Sequence, residues 1–437
     1  MARSSNAPTS AAARRHSLQR KTVFWLGITA VLWIAGVSVW NTLRLSLPPP
    51  SPTTTISARE TQHVVQPSSV FLEPLTLPTS TGAVWTQTFH QPLIVPPVVD
   101  EHRIYVVVGR TSDDTRVVAA RPETGEPIWT LPLGSVVDHP ATIAGPLLYV
   151  GTRSGRLLAI EAATGIVRWS LQMGAAVAGP ALVRDGTLYV GSSDLAALDA
   201  ATGKTRWRHK VGNGVAWPIA MDHDVVVVLA ADSHFYLVSA GNGKRRLSFP
   251  LWFSPAGGSA ISQRVVAFAG TRGMVQAIDL QGTEIPFEKA VRWWRTRLYL
   301  WEVINSPPPV PRGYLWQQRK LGGATARALG GDGAATYYAV DEETGGGRVV
   351  SLANGDGHVN WQAMTRSRVG RSAVFLADLI VVSSQSGSVH AFEIATGERV
   401  WQFDVGHPLS AAPAFFGDLM IAGSTDGSLS AFRLASP

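Results

Sequence analysis

No cysteine occurs anywhere in the 437 residues. Disulfides, thiolate metal sites, thiol nucleophiles and a lipid-modified N-terminal cysteine are thereby excluded. The absence suits an oxidising compartment without identifying one. Charge is also scarce, at 16% of residues. There is no Gly-x-Ser-x-Gly elbow and no phosphate-cradling glycine loop, and the 11 histidines never pair at metal-ligand spacing. These gaps remove the commonest routes to hydrolysis, nucleotide chemistry and metal catalysis.

The net charge of +7 suggests a nucleic-acid binder until it is located. Residues 1–21 contribute +5 and residues 287–321 another +5, so the remainder is −3. A mildly acidic body does not track phosphates, and no nucleic-acid partner is expected.

Only one long uncharged apolar run exists. Residues 22–43, "TVFWLGITAVLWIAGVSVWNTL", would span roughly 33 Å as a helix, enough for a bilayer core. The run is longer than the apolar region of a cleaved signal peptide and reads as a transmembrane helix. Five basic residues precede it, which places residues 1–21 in the cytoplasm and the rest outside, in a periplasmic or extracellular space. Residues 44–81 are rich in Pro, Ser and Thr and read as an extended linker. The lipid bilayer, through this helix, is the first expected partner.

What the chain has in plenty is repetition. "ALDAATGKTRW" (197–207) is echoed by "AIEAATGIVRW" (159–169), "AFEIATGERVW" (391–401) and, more loosely, "AARPETGEPIW" (119–129). The Trp phase runs through Trp129, Trp169, Trp207, Leu247, Pro286, Trp361 and Trp401, in steps of 38–40 residues except one of 75. Removing residues 287–321, a segment unlike its surroundings, restores the period. Each period holds four short apolar runs with turn signals between them, which is one blade of a β-propeller. Strands of the "YVG" type begin near Ile104, Leu148, Leu188, Val225, Val265, Tyr337, Leu379 and Leu419, giving eight blades. The last period lacks its Trp strand, and "GAVWTQTF" (82–89) is a Trp strand with no period before it. The first strand is therefore expected to complete the last blade. The fold expected is all-β: an eight-bladed propeller over 82–437, with a helical insertion at 287–321.

In this reading the acid and Thr of each repeat bond turn backbone, Gly supplies a positive φ, and Trp covers the neighbouring blade. Trp85, Trp129, Trp169, Trp207, Trp361 and Trp401 are thus structural. The pattern A-x-D-x-x-T-G-x-x-x-W resembles the repeat of the pyrroloquinoline-quinone enzymes and of their non-enzymatic relatives, the BamB-type outer-membrane assembly factors. The resemblance covers roughly 82–286 and 322–437. For the enzymes it implies paired cysteines against the cofactor, a Ca²⁺ held by Glu, Asn and Asp, and a catalytic Asp. This chain has no cysteine, and "NGDGH" (354–358) and "STDGS" (424–428) fall at repeat turns with no distal Glu to complete a Ca²⁺ loop. No cofactor, metal site or catalytic residue is expected.

Two places remain for function. The innermost strands, which line a propeller's channel, are mostly small and apolar around Pro, so Asp138, His139, Trp217 and Arg371 stand out as a channel-mouth set. In the insertion, Phe287, Val291, Trp294, Leu298 and Trp301 fall at spacings of 4, 3, 4 and 3, one face of a helix, flanked by Arg292 and Arg295, with Trp316 on the return. That face packs on its own propeller, in a partner's groove or at a bilayer interface. The reading is a non-enzymatic, membrane-anchored scaffold that binds a protein partner in an envelope complex. The alternatives are a quinoprotein-like dehydrogenase or a small-ligand sensor using the channel mouth.

Overall fold

A computed structural model describes residues 82–434, except 285–286, 308–309, 311–312, 319–320 and 410. The segments read as cytoplasmic tail, transmembrane helix and linker lie outside the described residues. Among the described residues, no helix is long and apolar enough to cross a membrane.

The strands form eight four-stranded antiparallel sheets. Blades 1 to 7 follow chain order, from Val98–Val99 at the inner edge of blade 1 to Arg399–Asp404 at the outer edge of blade 7. Blade 8 takes three strands from residues 414–433 and its fourth from Trp85–Thr88, which pairs with Ser428–Arg433. The expected closure of the ring is therefore present, and it leaves no blade short of a strand.

Sequence dictates this architecture through alternation. The second and third strands of each blade read as continuous apolar runs such as "VVVVL" at Val225–Leu229, buried throughout because each blade is sandwiched between two others. Outer strands alternate instead, as in Val167–Gln172 with its exposed and half-buried residues, because only one face meets a neighbour. The core is consequently a series of inter-blade clusters, one of which joins Val98, Val107 and Val117 to Leu148, Val150 and Ile160.

The junctions use the repeat directly. Trp169 donates its indole N–H to the Ala200 carbonyl at 3.1 Å, and the Tyr149 hydroxyl donates to the same oxygen at 3.0 Å. Trp129 and Tyr105 share the Ala162 carbonyl, and Trp207 and Tyr189 share that of Ala240. Trp85 and Trp361 donate to Pro122 and Ile394. The accepting carbonyl lies each time in the glycine turn of the next blade, which is Thr-Gly in most and Asn-Gly after Ala240. In that turn Thr202 donates to Asp199 from both its hydroxyl and its N–H, and Arg206 closes on the same carboxylate. These bonds hold the Asp199 carboxyl down at about 2, the Arg206 contribution being the largest. Gly203, at φ +71°, lies flat under the Trp169 ring, where a Cβ would come within 2.8 Å. The turn needs glycine for its backbone and for its lack of a side chain.

The insertion departs from its expected limits. Tyr314–Gln318 is the outer strand of blade 5, paired with Val275–Asp279. Trp316 is 7% exposed and donates to the Asn354 carbonyl of blade 6 at 2.8 Å. It is the blade tryptophan, not a contact residue of the insertion, and Pro286 is not its counterpart. The inserted residues are 283–312. Their two ends, Gly282 and Gly313, meet so closely that a Cβ on Gly282 would lie 3.2 Å from the Gly313 Cα. An excursion that leaves and returns at one point shifts the sequence register without disturbing the blade.

Residues 285–309 group apart from the propeller as a separate unit. It contains one helix, Glu288–Leu300 (α1), whose N-cap Phe287 has φ 65° and no side-chain cap. The Arg297 guanidinium lies 4.1 Å over the Trp293 ring, and Trp293 and Trp294 meet edge to face at 4.9 Å.

Candidate functional site

The propeller encloses a cavity of about 550 Å³, lined by residues from all eight blades. Aligned on the second-strand position that holds Tyr105, Tyr149, Tyr189 and Tyr337, the residue three before its innermost-strand partner is Val95, His139, Gly179, Trp217, Gly257, Arg327, Arg371 and Ala411 in turn. All but Gly179 line the cavity. One register thus supplies both the small residues that open the space and the few polar or aromatic ones that give it character.

Asp138, His139, Trp217 and Arg371 all fall on this wall. Asp138 is held by the Arg153 fork, with Nε donating to Oδ2 at 2.8 Å and Nη2 donating to Oδ1. His139 is pushed below the usual imidazole range, chiefly by burial and further by Arg371, with Asp138 opposing. It is therefore a neutral imidazole near pH 7. Trp217 packs partly into the core between blades 4 and 5. Arg371 is exposed and makes no ion pair among the described residues.

Arg327 joins them although no motif marked it. Its guanidinium donates to both Asp341 oxygens, at 2.6 and 3.0 Å, and to the Val369 carbonyl at 2.9 Å. Gly257 of blade 5 leaves room for its stem, since a Cβ there would meet Arg327 Cβ and Cγ at 3.8 Å. A sequence signal for Arg327 exists: Tyr105 bonds Asp100 five residues earlier, and Tyr337 bonds Asp332 in the same way. Aligning those pairs puts Arg327 opposite Val95. Trp252, 77% exposed on the loop that reaches the cavity at Ala256, also went unmarked.

In the insertion, Val291 and Leu298 are half-buried, whereas Phe287, Trp294 and Trp301 are 82%, 44% and 58% exposed. Arg292 and Arg295 are half-buried on the other side of α1, and Arg295 donates to the Ser306 hydroxyl at 3.0 Å. The five apolar residues share a face, but that face is not uniformly sheltered.

The family profile of the outer membrane protein assembly factor BamB matches residues 113–195, 176–291 and 300–436. The chain belongs to this family. No curated protein matches it by sequence. Among solved structures, BamB from Moraxella catarrhalis is similar over 80% of this chain and 97% of its own, at 18% identity and a TM-score of 0.57. The computationally designed Ika8 protein is similar over 80% of this chain and 99% of its own, at 14% identity and a TM-score of 0.61. The quinohemoprotein alcohol dehydrogenase ADHIIG from Pseudomonas putida HK5 is similar over 82% of this chain and 77% of its own, at 16% identity and a TM-score of 0.56. At such identities these likenesses describe the fold alone.

The last neighbour prompts a test of the cavity against a quinone with its Ca²⁺. Calcium takes 6–8 oxygen ligands, carboxylates foremost. The wall presents one carboxylate, Asp138, and Arg153 engages both of its oxygens. Among the described residues, no three His, Asp or Glu side chains gather where a metal could sit. The donor set does not fit.

Proposed function

We propose that the chain is a non-enzymatic scaffold. Its propeller is held outside the cytoplasm by a transmembrane helix at 22–43 and binds a protein partner within an envelope complex. The observation that carries this reading is the state of the cavity's acid and base. The one carboxylate on the wall is occupied by Arg153 and the inner arginine by Asp341, which leaves the half-buried, neutral His139 alone. A general acid–base pair would need a second proton-exchanging group beside that imidazole, and the wall presents none free to serve. Membership of the BamB family supports a protein-binding propeller. The test is mild crosslinking and affinity capture from native membranes, comparing the intact chain with one lacking 283–312. A partner recovered with the intact chain supports the reading. Stoichiometric uptake of pyrroloquinoline quinone with Ca²⁺, followed by turnover of alcohols or sugars with a dye acceptor, overturns it.

One observation favours a second reading, a small-ligand sensor at the channel mouth. Arg371 is a cation without an ion-pair partner among the described residues, beside a largely apolar cavity of about 550 Å³, a size usual for small-molecule sites. Under that reading Arg371→Ala abolishes ligand-induced thermal stabilisation without altering partner capture.

A further inference from the structure

The geometry points to helix α1 as an interfacial element that lies on an anionic phospholipid surface; this deepens the reading of the chain as a membrane-held scaffold and rests on it. The helix leaves a set of large apolar residues uncovered. Phe287, Trp293, Trp294, Leu300 and Trp301 are 82%, 49%, 44%, 71% and 58% exposed. At 3.6 residues per turn they occupy one continuous arc of roughly 140°. Arg297 is the one charged residue inside that arc, stacked on Trp293 with its stem along the ring. The opposite side is half-buried and mostly polar, with Glu288, Arg292, Arg295 and Thr296, and carries one further exposed ring, Tyr299 at 40%.

Soluble helices bury their aromatic side and present the charged one. Here the aromatic side is the exposed one, so an apolar phase outside this unit must cover it. A protein groove takes a narrow ridge of anchors at i, i+3 or i+4, and i+7. Three indoles spread across the width of an arc suit a plane instead. Indoles concentrate at the headgroup level of bilayers, and an arginine among them reaches the phosphates while its stem stays apolar. The charge agrees. The inserted residues 283–312 carry five Lys/Arg against three Glu, a net +2, whereas everything else beyond residue 21 sums to zero. An anionic surface attracts this segment and not the propeller's body.

Because the chain has no cysteine, a single one can carry an environment-sensitive nitrobenzoxadiazole dye. The full-length variants Trp301→Cys and Arg292→Cys would each be labelled and reconstituted with vesicles of phosphatidylcholine alone or with phosphatidylglycerol added. Doxyl-labelled lipid serves as quencher. The expected result is a blue shift and several-fold quenching for W301C in the anionic vesicles, little change for R292C, and loss of the difference in high salt. Emission from W301C that is unchanged in both vesicle types overturns the inference. So does a shift that appears only when membrane proteins are added, which would make this face a protein-docking site. Alkaline extraction of the same samples reports the 22–43 anchor separately. An extractable chain whose dye still responds to added anionic vesicles removes the anchor and keeps the interfacial helix. An unextractable chain with an unresponsive dye does the reverse.

Discussion

The tryptophans of the blades and those of the insertion are the same side chain put to opposite uses. Trp169 lies over Gly203, shares a carbonyl with a tyrosine of its own blade and has Ala159 across the strand pair. Its indole N–H, the one polar atom, is satisfied by the next blade, so the ring can be covered without an unpaired donor. Trp293, Trp294 and Trp301 are 49%, 44% and 58% exposed. The difference teaches that tryptophan content alone decides nothing. Where a neighbouring blade covers the ring, the residue is structural; where none does, the residue is available.

The sharpest way to break that comparison is to cut on either side of it. Excising 287–321 removes strand Tyr314–Gln318 and Trp316 with the helix; cooperative unfolding and the native near-ultraviolet signal should be lost. Excising 283–312 joins two glycines that already touch and should leave a cooperative transition. Both outcomes are read by circular dichroism during denaturant titration. Next in size, Trp361→Ala should cost about 3–5 kcal/mol, as buried aromatic deletions do. Trp293→Ala and Trp301→Ala should stay within about 0.5 kcal/mol, as exposed substitutions do. Equal losses would collapse the distinction. Gly203→Ala combines a left-handed backbone with a clash against Trp169, and the two should cost about 2–4 kcal/mol together.

A smaller effect comes from His390. It is 2% exposed in blade 7, and burial, with Arg399 and Arg366 adding to it, pushes its pKa down to about 4. The folded state therefore holds the imidazole neutral, while the unfolded chain protonates it near pH 6.5. Its contribution is complete above about pH 6.5, declines as pH falls toward 4 and is flat below, on the order of 3 kcal/mol in all. Leu158 occupies the same register in blade 2. His390→Leu should thus abolish that slope, which stability measurements at pH 7, 5.5 and 4 would show. Smallest is the indole N–H itself. Trp361→Phe should cost about 1 kcal/mol beyond its change in packing. Trp401→Phe should cost less, because Trp401 Nε1 finds no acceptor among the described residues.

The ring was legible because a 38–40-residue period is a covalent fact and each period contains its own turn, strand and tryptophan. Closure was legible for the same reason, as one tryptophan strand too many at the front and one too few at the back. The register of blade 5 was not. Residues 283–312 stand between Gly282 and Gly313, so counting along the chain reached Pro286 where the fold uses Trp316. Arg327 was hidden because blade 6 replaces the phased proline with Ala328, removing the landmark. Asp138, His139 and Trp217 were found through that landmark in blades 2 and 4, and Arg371 of blade 7 by its phase alone, with Ser372 in the proline's place. What no pattern disclosed was pairing. That Arg153 occupies Asp138 and Asp341 occupies Arg327 depends on side chains reaching across loops and strands, which periodicity does not encode.

One consequence follows from the strand at Trp85–Thr88. Its Thr86 touches Ser430, 344 residues away, so the circle shuts only after nearly all of the polypeptide has emerged from the ribosome or translocon. Until then seven sheets stand as an open arc with a bare flank at either side. Anything that occupies the first strand early, a chaperone or a neighbouring molecule's terminal blade, holds the arc open or links two copies. The latch that finishes the molecule is thus its point of greatest exposure during biogenesis.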